Sequence, residues 1–454
     1  MQRRAFLRAG GVAGATVALP QSVTASTAAA DGSDTGPLGR VDVEGAAEAV
    51  VGDDGETAYL AATTGFATVD ISDPTAPAVL AERLDLEADG ARMTELLDVA
   101  VDGDRLAVVG PANPRDDGTF HGFVLYDVRD PADPVVVGDP YETGSHIHNC
   151  ALEDDLLYVV ENDTDGHSLV IFDVSDDPEE IGRWSLLEHE PEWADAFWLA
   201  RYLHDVTIHG DIAVLPHWDA GTYLLDVSDP TAPELLSRVR ETDLEAQRDL
   251  GDREAYMGLP GNDHYAMLGD GGDLLAVGRE AWSVDGDAPD GPGGIDLYDV
   301  SDPAEPERLS TIDAPAADDA SYYGGTWTTS HNFDLHDGRL YSSWYQGGIK
   351  VHDVSDPGAP EERAHWRDAD TAGFWTARVA DPSETLVASS TPLIPNADTE
   401  GALYTFSTDL SLPDSSTGLL DSVPGFTGSA GAVGLAAGAV GLEWLRRRRG
   451  TDGQ

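Results

Sequence analysis

Six copies of one phrase, Asp-Val-Ser-Asp-Pro and near variants, run through a chain of 454 residues at steps of 57, 46, 53, 73 and 54. Between the copies, apolar and polar residues alternate with period two, punctuated by Gly, Asp and Pro. These two observations predict an all-β protein, a seven-bladed β-propeller. A four-stranded unit repeated at that interval buries its faces only against copies of itself.

The copies are Asp70-Ile71-Ser72-Asp73-Pro74, Asp127-Val128-Arg129-Asp130-Pro131, Asp173-Val174-Ser175-Asp176-Asp177, Asp226-Val227-Ser228-Asp229-Pro230, Asp299-Val300-Ser301-Asp302-Pro303 and Asp353-Val354-Ser355-Asp356-Pro357. Each unit keeps one internal order. His331-Asn332-Phe333-Asp334-Leu335 reads as a first strand and Asp337-Gly338 as a turn. Leu340 to Trp344 is then a second strand. A Gly pair leads into a third, Ile349 to Val354, and after the Ser-Asp-Pro turn comes a fourth with Ala364 and Trp366. Period-two alternation with such punctuation indicates strands, and proline ends a strand while fixing the turn. A seventh unit lacks the phrase but keeps the spacing, with strands at Phe374–Val379 and Gly401–Phe406. Seven blades then span residues 40–412; the rival counts are six blades with the last segment as a cap, or an eighth strand set within the long loop 241–260. The phrase and its preceding strand resemble the LVIVD repeat of secreted and surface proteins, a resemblance that covers most of the chain between its ends and implies the fold more than a function. Calcium ligation by the repeated Asp residues is unnecessary, because an Asp that caps its own turn needs no ion.

Asp and Glu number 84 against 26 Lys and Arg, a net charge of −58. Such a field repels a phosphate backbone and excludes a nucleic-acid partner held by phosphate contacts. Acidic residues spread along the whole chain point to a halophilic protein, since at 1 M salt the screening length of about 3 Å makes the self-repulsion tolerable. One cysteine, Cys150, excludes an internal disulfide and a cysteine zinc cluster, and its place in the strand alignment reads as a core thiol.

Both ends read as address labels. Residues 1–30 pair Arg3 and Arg4 ahead of an apolar Gly/Ala/Val run and Ala28-Ala29-Ala30, a twin-arginine export signal that implies the twin-arginine translocase as a partner. A linker fills 31–39, and a second, rich in Pro, Ser, Thr and Asp, fills 413–423. Residues 424–449 hold Pro424-Gly425-Phe426, a nearly uncharged Gly/Ala-rich stretch and four arginines, Arg446 to Arg449. Twenty residues at about 1.5 Å each span about 30 Å, one bilayer core, with the arginines kept on the cytoplasmic side. The order resembles the archaeal PGF-CTERM sorting signal. That resemblance implies archaeosortase-like processing, in which a lipid replaces the transmembrane helix, and a protein anchored at the cell surface.

Aligning the first strands places His148, His204, His264 and His331 in one column at the strand start, with Ala47, Leu97 and Trp375 in the other units. First strands are innermost in a propeller, so this column faces the central channel at one mouth, with His146 two residues before His148 on the same face. The ends of the second strands, Glu161, His217, Arg279 and Trp344, are expected beside that mouth as ligand-binding candidates. His146, His148, His204, His264 and His331 are the candidate ligands for a divalent transition metal, because imidazole and carboxylate suit zinc, copper, iron and nickel. Histidines that only bridge neighbouring blades would give the same column. Residues 188–204, rich in Trp and acids, are expected as a loop or short helix over the mouth. Residues 241–260, with alternating acids and arginines, read as a solvated helix. No phosphate-binding loop or Gly-x-Ser-x-Gly elbow appears. The expected function is an extracellular binding or interaction module with an unidentified ligand. The alternative is an extracytoplasmic metal-dependent enzyme, oxidoreductase or hydrolase.

Overall fold

The computed structural model describes residues 35–411, apart from 115–117, 163–165, 250–256, 285–290, 382 and 396. Arg3, Arg4, the export signal, Pro424, Gly425, Phe426 and the apolar stretch after them lie outside the described residues. Among the described residues no helix is long and apolar enough to cross a membrane.

Seven four-stranded antiparallel sheets form a seven-bladed β-propeller. Their innermost strands are Ala49–Val51, Val99–Asp102, His146–Glu153, Thr207–His209, Asp263–Leu268, Phe333–His336 and Phe374–Ala380. Each packs against the innermost strand of the next blade, and the last packs against the first, so the ring is closed. Six blades are built from consecutive strands. The seventh takes its outermost strand, Gly39–Asp42, from the other end of the fold, with Gly39 opposite Thr405 and Asp42 opposite Ala402. Part of the segment read as a linker therefore latches the ring shut.

The repeated phrase makes the turn between third and fourth strands. Its first Asp accepts the N–H two residues on, at 2.9 Å for Asp70 to Ser72 and for Asp226 to Ser228. Its second Asp does the same, at 3.0 Å for Asp73 to Thr75 and 3.1 Å for Asp229 to Thr231. Side chain and backbone satisfy one another without an ion. Just past five of the six turns the pairing slips by one residue, as at Thr68/Val69, Leu224/Leu225 and Val351/His352. Such a bulge adds local twist at the blade rim. The Gly that opens the third strand is required where the fourth strand closes over it. Gly221 and Gly348 have φ of 90° and 94°, and a Cβ on either would strike the carbonyl of Val239 or Trp366.

The core lies in the seams between blades. Val214 and Leu224 of the fourth blade pack on Ala266, Leu275, Val277 and Tyr298 of the fifth. At about 1.5–3 kcal/mol per fully buried Val, Leu or Phe, these seams hold the ring together and fix the inner strands at its axis. Cys150 lies in one such seam, as a buried thiol.

Candidate functional site

The four column histidines come together. Ring centroids are 4.2 Å apart for His148 and His204, 3.7 Å for His204 and His264, and 4.4 Å for His264 and His331. Trp375 continues the row at 4.3 Å from His331. Local backbone explains the aim of these side chains. In the third, fifth and seventh blades the pairing of first and second strands skips over His148 and Asn149, over His264, and over Trp375. His204 and His331 precede the regular ladder, and their N–H groups donate to the Pro216 and Ser343 carbonyls. Freed from the ladder, the chain no longer alternates strictly between faces.

Glu161, His217, Arg279 and Trp344 are placed elsewhere. Glu161 pairs with Arg183 at 2.9 Å, and His217 binds the Arg201 carbonyl through Nδ1 at 3.0 Å. Arg279 is held by Asp263 at 3.2 Å and by Asp296, and the Trp344 indole donates to Ser342 Oγ at 2.8 Å. The residue after each of them comes toward the row instead. Asn162 donates to the Leu203 carbonyl at 2.7 Å, Trp218 stacks on His204 at 6.1 Å, and Tyr345 lies 4.8 Å from His331. Glu280 sits against His264, with Oε2 3.2 Å from Nδ1, and accepts the Tyr345 hydroxyl. A side chain one residue further along a strand points to the opposite face. Trp218 and Tyr345 are turned further by φ of 34° and 47°, a left-handed conformation uncommon for bulky residues. Column alignment reached the right end of the second strand and stopped one residue short of Glu280.

Three short helices, Leu186–His189, Pro191–Asp195 and Trp198–Arg201, form the expected insertion. The residue after the last of them, Tyr202, packs its ring 5.7 Å from His148 and donates or accepts at His146 Nε2 over 3.1 Å. The 241–260 segment holds the helix Leu244–Asp249 and continues into residues that are not described.

Inside the row, ring nitrogens are left over. Nδ1 of His148 lies 2.7 Å from the Ala112 carbonyl and Nδ1 of His331 lies 2.6 Å from the Trp375 carbonyl. A carbonyl partner puts the proton on Nδ1 and leaves Nε2 with the lone pair. Nε2 of His331, Nδ1 of His204 and both nitrogens of His264 have no hydrogen-bond partner, the approach of Glu280 being misaligned for one. Desolvation drives these imidazoles toward neutrality. His148 is pushed down to about 4 and His264 to about 3, and His204 and His331 fall well below 6.5. His146, also buried, is pushed down to about 3. Burial raises Glu280 above the usual carboxylate range. One ligand atom each from His204, His264 and Glu280 lies within 4.8 Å of the others. Neutral imidazoles and a carboxylate at that spacing are a donor set for a divalent transition metal.

In six of the seven blades the next residue builds a second layer. Glu48, Asp98, Asn149, Asp205, Tyr265 and Asn332 line a cavity of about 420 Å³ on the axis, which none of the four imidazoles lines. Glu48 accepts from Asn332 at 2.6 Å and from Arg378 at 3.2 Å. Asp98 accepts the Cys150 N–H at 2.7 Å, and Asp205 accepts the Asn149 amide at 2.7 Å. Desolvation, reinforced by the Glu48 charge, pushes Asp98 up to about 8, and Asp205 stands well above 3.8 for the same first reason.

The LVIVD repeat family matches residues 54–84 and 200–241, the last three strands of the first blade and the whole fourth blade with the segment leading into it. No curated protein matches the chain by sequence. The structure is similar to the β-propeller domain of Cps50 (Swd1) from Myceliophteria thermophila, with a TM-score of 0.54 and 10% identity over 82% of this chain and 98% of that one. It is similar to the WD40 repeats of RRP9 with the same score and identity, over 82% of this chain and 97% of that one. At such identities the likeness is one of fold. The chain is a seven-bladed β-propeller carrying LVIVD repeats.

Proposed function

We propose that the chain is a surface-displayed interaction module whose axial imidazole–carboxylate cluster holds a divalent transition metal. The single observation that carries the metal is His264: fully desolvated, neutral, and without a hydrogen bond at either nitrogen beside the Glu280 carboxylate. An unpaired buried polar group costs roughly 1–3 kcal/mol, and a metal bond would offset that cost. His204 and Glu280 complete the nearest donor set, with His148 and His331 on either side of it. Carbonyl partners orient those two outer rings, and the Tyr345 hydroxyl orients Glu280, as outer groups do around ligands. His146 stands behind Tyr202 as a supporting group.

Surface display rests on the paired Arg3 and Arg4, on Pro424-Gly425-Phe426 and on the apolar stretch closed by four arginines. In this reading the twin-arginine translocase exports the folded chain, and archaeosortase-like processing leaves it anchored outside. The excess of acid suits molar salt and an extracellular partner other than nucleic acid.

Metal analysis after dialysis of the full-length chain against zinc or copper(II) tests the cluster. The expected result is one ion per chain, lost in His264→Ala and in Glu280→Ala. A wild-type chain that retains no ion, or variants that retain it equally, would overturn the reading. Fractionation of the expressing cells tests the anchor: Arg3→Lys with Arg4→Lys should leave the protein inside, and export unchanged by that pair would sink surface display by this route.

A further inference from the structure

The cavity below the imidazole row holds more hydrogen-bond acceptors than donors. Glu48, Asp98 and Asp205 each present a carboxylate to it. A carboxylate has room for about four donors. Asp98 accepts from the Cys150 and Val99 N–H groups and from the Cys150 thiol, and Asp205 accepts from the Val206 N–H and the Asn149 amide, which leaves each carboxyl with acceptor capacity to spare. Asn332 has spent its NH2 on Glu48, and its Oδ1, in a side chain only 2% exposed, has no partner.

Charge is unbalanced in the same direction. Arg378 is the one guanidinium or ammonium among the described lining residues, and it is committed to Glu48, to the Tyr265 hydroxyl at 2.6 Å and to the Phe333 carbonyl at 3.1 Å. Neither Asp98 nor Asp205 is ion-paired with Arg378, and a cation entering the space would favour their ionised forms against burial. Among the described residues the trio with ligand atoms close enough for one bare ion is His204, His264 and Glu280, so these carboxylates do not close on a chelated metal. The remaining walls include Val99, Ala151, Val206 and Met267. A polar, acidic base with apolar sides is the environment of a cation that carries N–H donors on a hydrocarbon body.

We propose that this axial cavity binds a small organic cation, a primary ammonium or guanidinium on a short apolar chain, held by Asp98, Asp205 and the Asn332 carbonyl oxygen. The proposal stands apart from the metal reading, since the row and the cavity share no side chain.

Calorimetric titration of the full-length chain with n-butylammonium, n-butanol and butyrate tests it. Butylammonium is expected to bind saturably at one site and the two uncharged or anionic analogues are not. Asp98→Asn and Asp205→Asn should each weaken binding about tenfold or more, the worth of a charge-assisted hydrogen bond. His264→Ala should bind the amine as the wild type does whether or not it has lost the metal, so amine binding in that variant reports on the cavity alone. No saturable butylammonium binding, equal binding of butanol, or unchanged affinity in folded Asp98→Asn and Asp205→Asn would overturn the proposal. So would magnesium or calcium binding that excludes the amine. If both variants fail to fold, the wild-type contrast between butylammonium and butanol still decides the matter.

Discussion

Two layers one residue apart on the same inner strands treat ionisation in opposite ways. The upper layer, His148, His204, His264 and His331, is buried neutral with its lone pairs unspent. The lower layer, Glu48, Asp98 and Asp205, is buried acid in which one guanidinium, that of Arg378, is paired with Glu48 alone. Burial is common to both, and it disfavours charge in both. The upper layer escapes the penalty by staying neutral, whereas the lower layer escapes it only through Arg378 and through protons. Asp residues at the rim show the contrast from outside. Hydrogen bonds from Ser228 and Ser301 hold the half-buried Asp226 and Asp299 at the rim below the usual carboxylate range, while burial lifts Asp98 far above it.

The largest effect should come from removing the lower layer's counter-charge. Arg378→Met leaves Glu48 unpaired and cuts ties to Tyr265 and Phe333, and should cost about 3–5 kcal/mol in denaturant unfolding, the range for breaking a buried pair. A loss below about 1 kcal/mol would mean that Glu48 stands protonated in the fold, by the same logic.

In the upper layer the sign should reverse. His264→Leu removes two unpaired ring nitrogens and should stabilise the metal-free chain by about 1–3 kcal/mol while abolishing zinc binding. Destabilisation with zinc binding kept would contradict the assignment of His264. Tyr345→Phe, which only releases Glu280, should weaken zinc about tenfold to a hundredfold without preventing it.

Stability against pH should carry both signatures. A histidine held neutral in the fold takes its proton on unfolding, so the stabilisation is complete above pH 6.5 and falls as pH drops toward about 3 for His264. Asp98 runs the other way: its contribution is complete below pH 3.8 and is lost as pH rises through about 8. Thermal melts should therefore show an acid limb flattened by His264→Leu and an alkaline limb flattened by Asp98→Asn. Each variant affecting the other's limb would merge the layers into one coupled unit. The smallest effect belongs to the rim: Asp226→Asn keeps the turn's acceptor and should change stability by less than about 0.5 kcal/mol.

How much of this was legible depended on which physical rule governed each residue. The blades were readable because the Asp-Val-Ser-Asp-Pro turn demands those residue types, and the His column because four imidazoles recur at one strand start. The latch Gly39–Asp42 was not readable, being a four-residue strand that carries no copy of the phrase. Glu280, Trp218 and Tyr345 were missed because the chain leaves the second strand one residue after the alignment stopped, at Trp218 and Tyr345 in a left-handed turn. The carboxylate layer was hidden by the strand rule itself. Alternation sends neighbours to opposite faces, so His204 and Asp205 read as one inward and one outward residue until the irregular start of the inner strands brings both to the axis.

The most direct measurement of the central claim is X-ray absorption at the zinc edge of the zinc-loaded full-length chain. The account predicts a nitrogen and oxygen shell at about 2.0–2.1 Å with outer scattering from at least two imidazoles. A shell without imidazole scattering, or zinc bound equally by the His264→Ala chain, would contradict it.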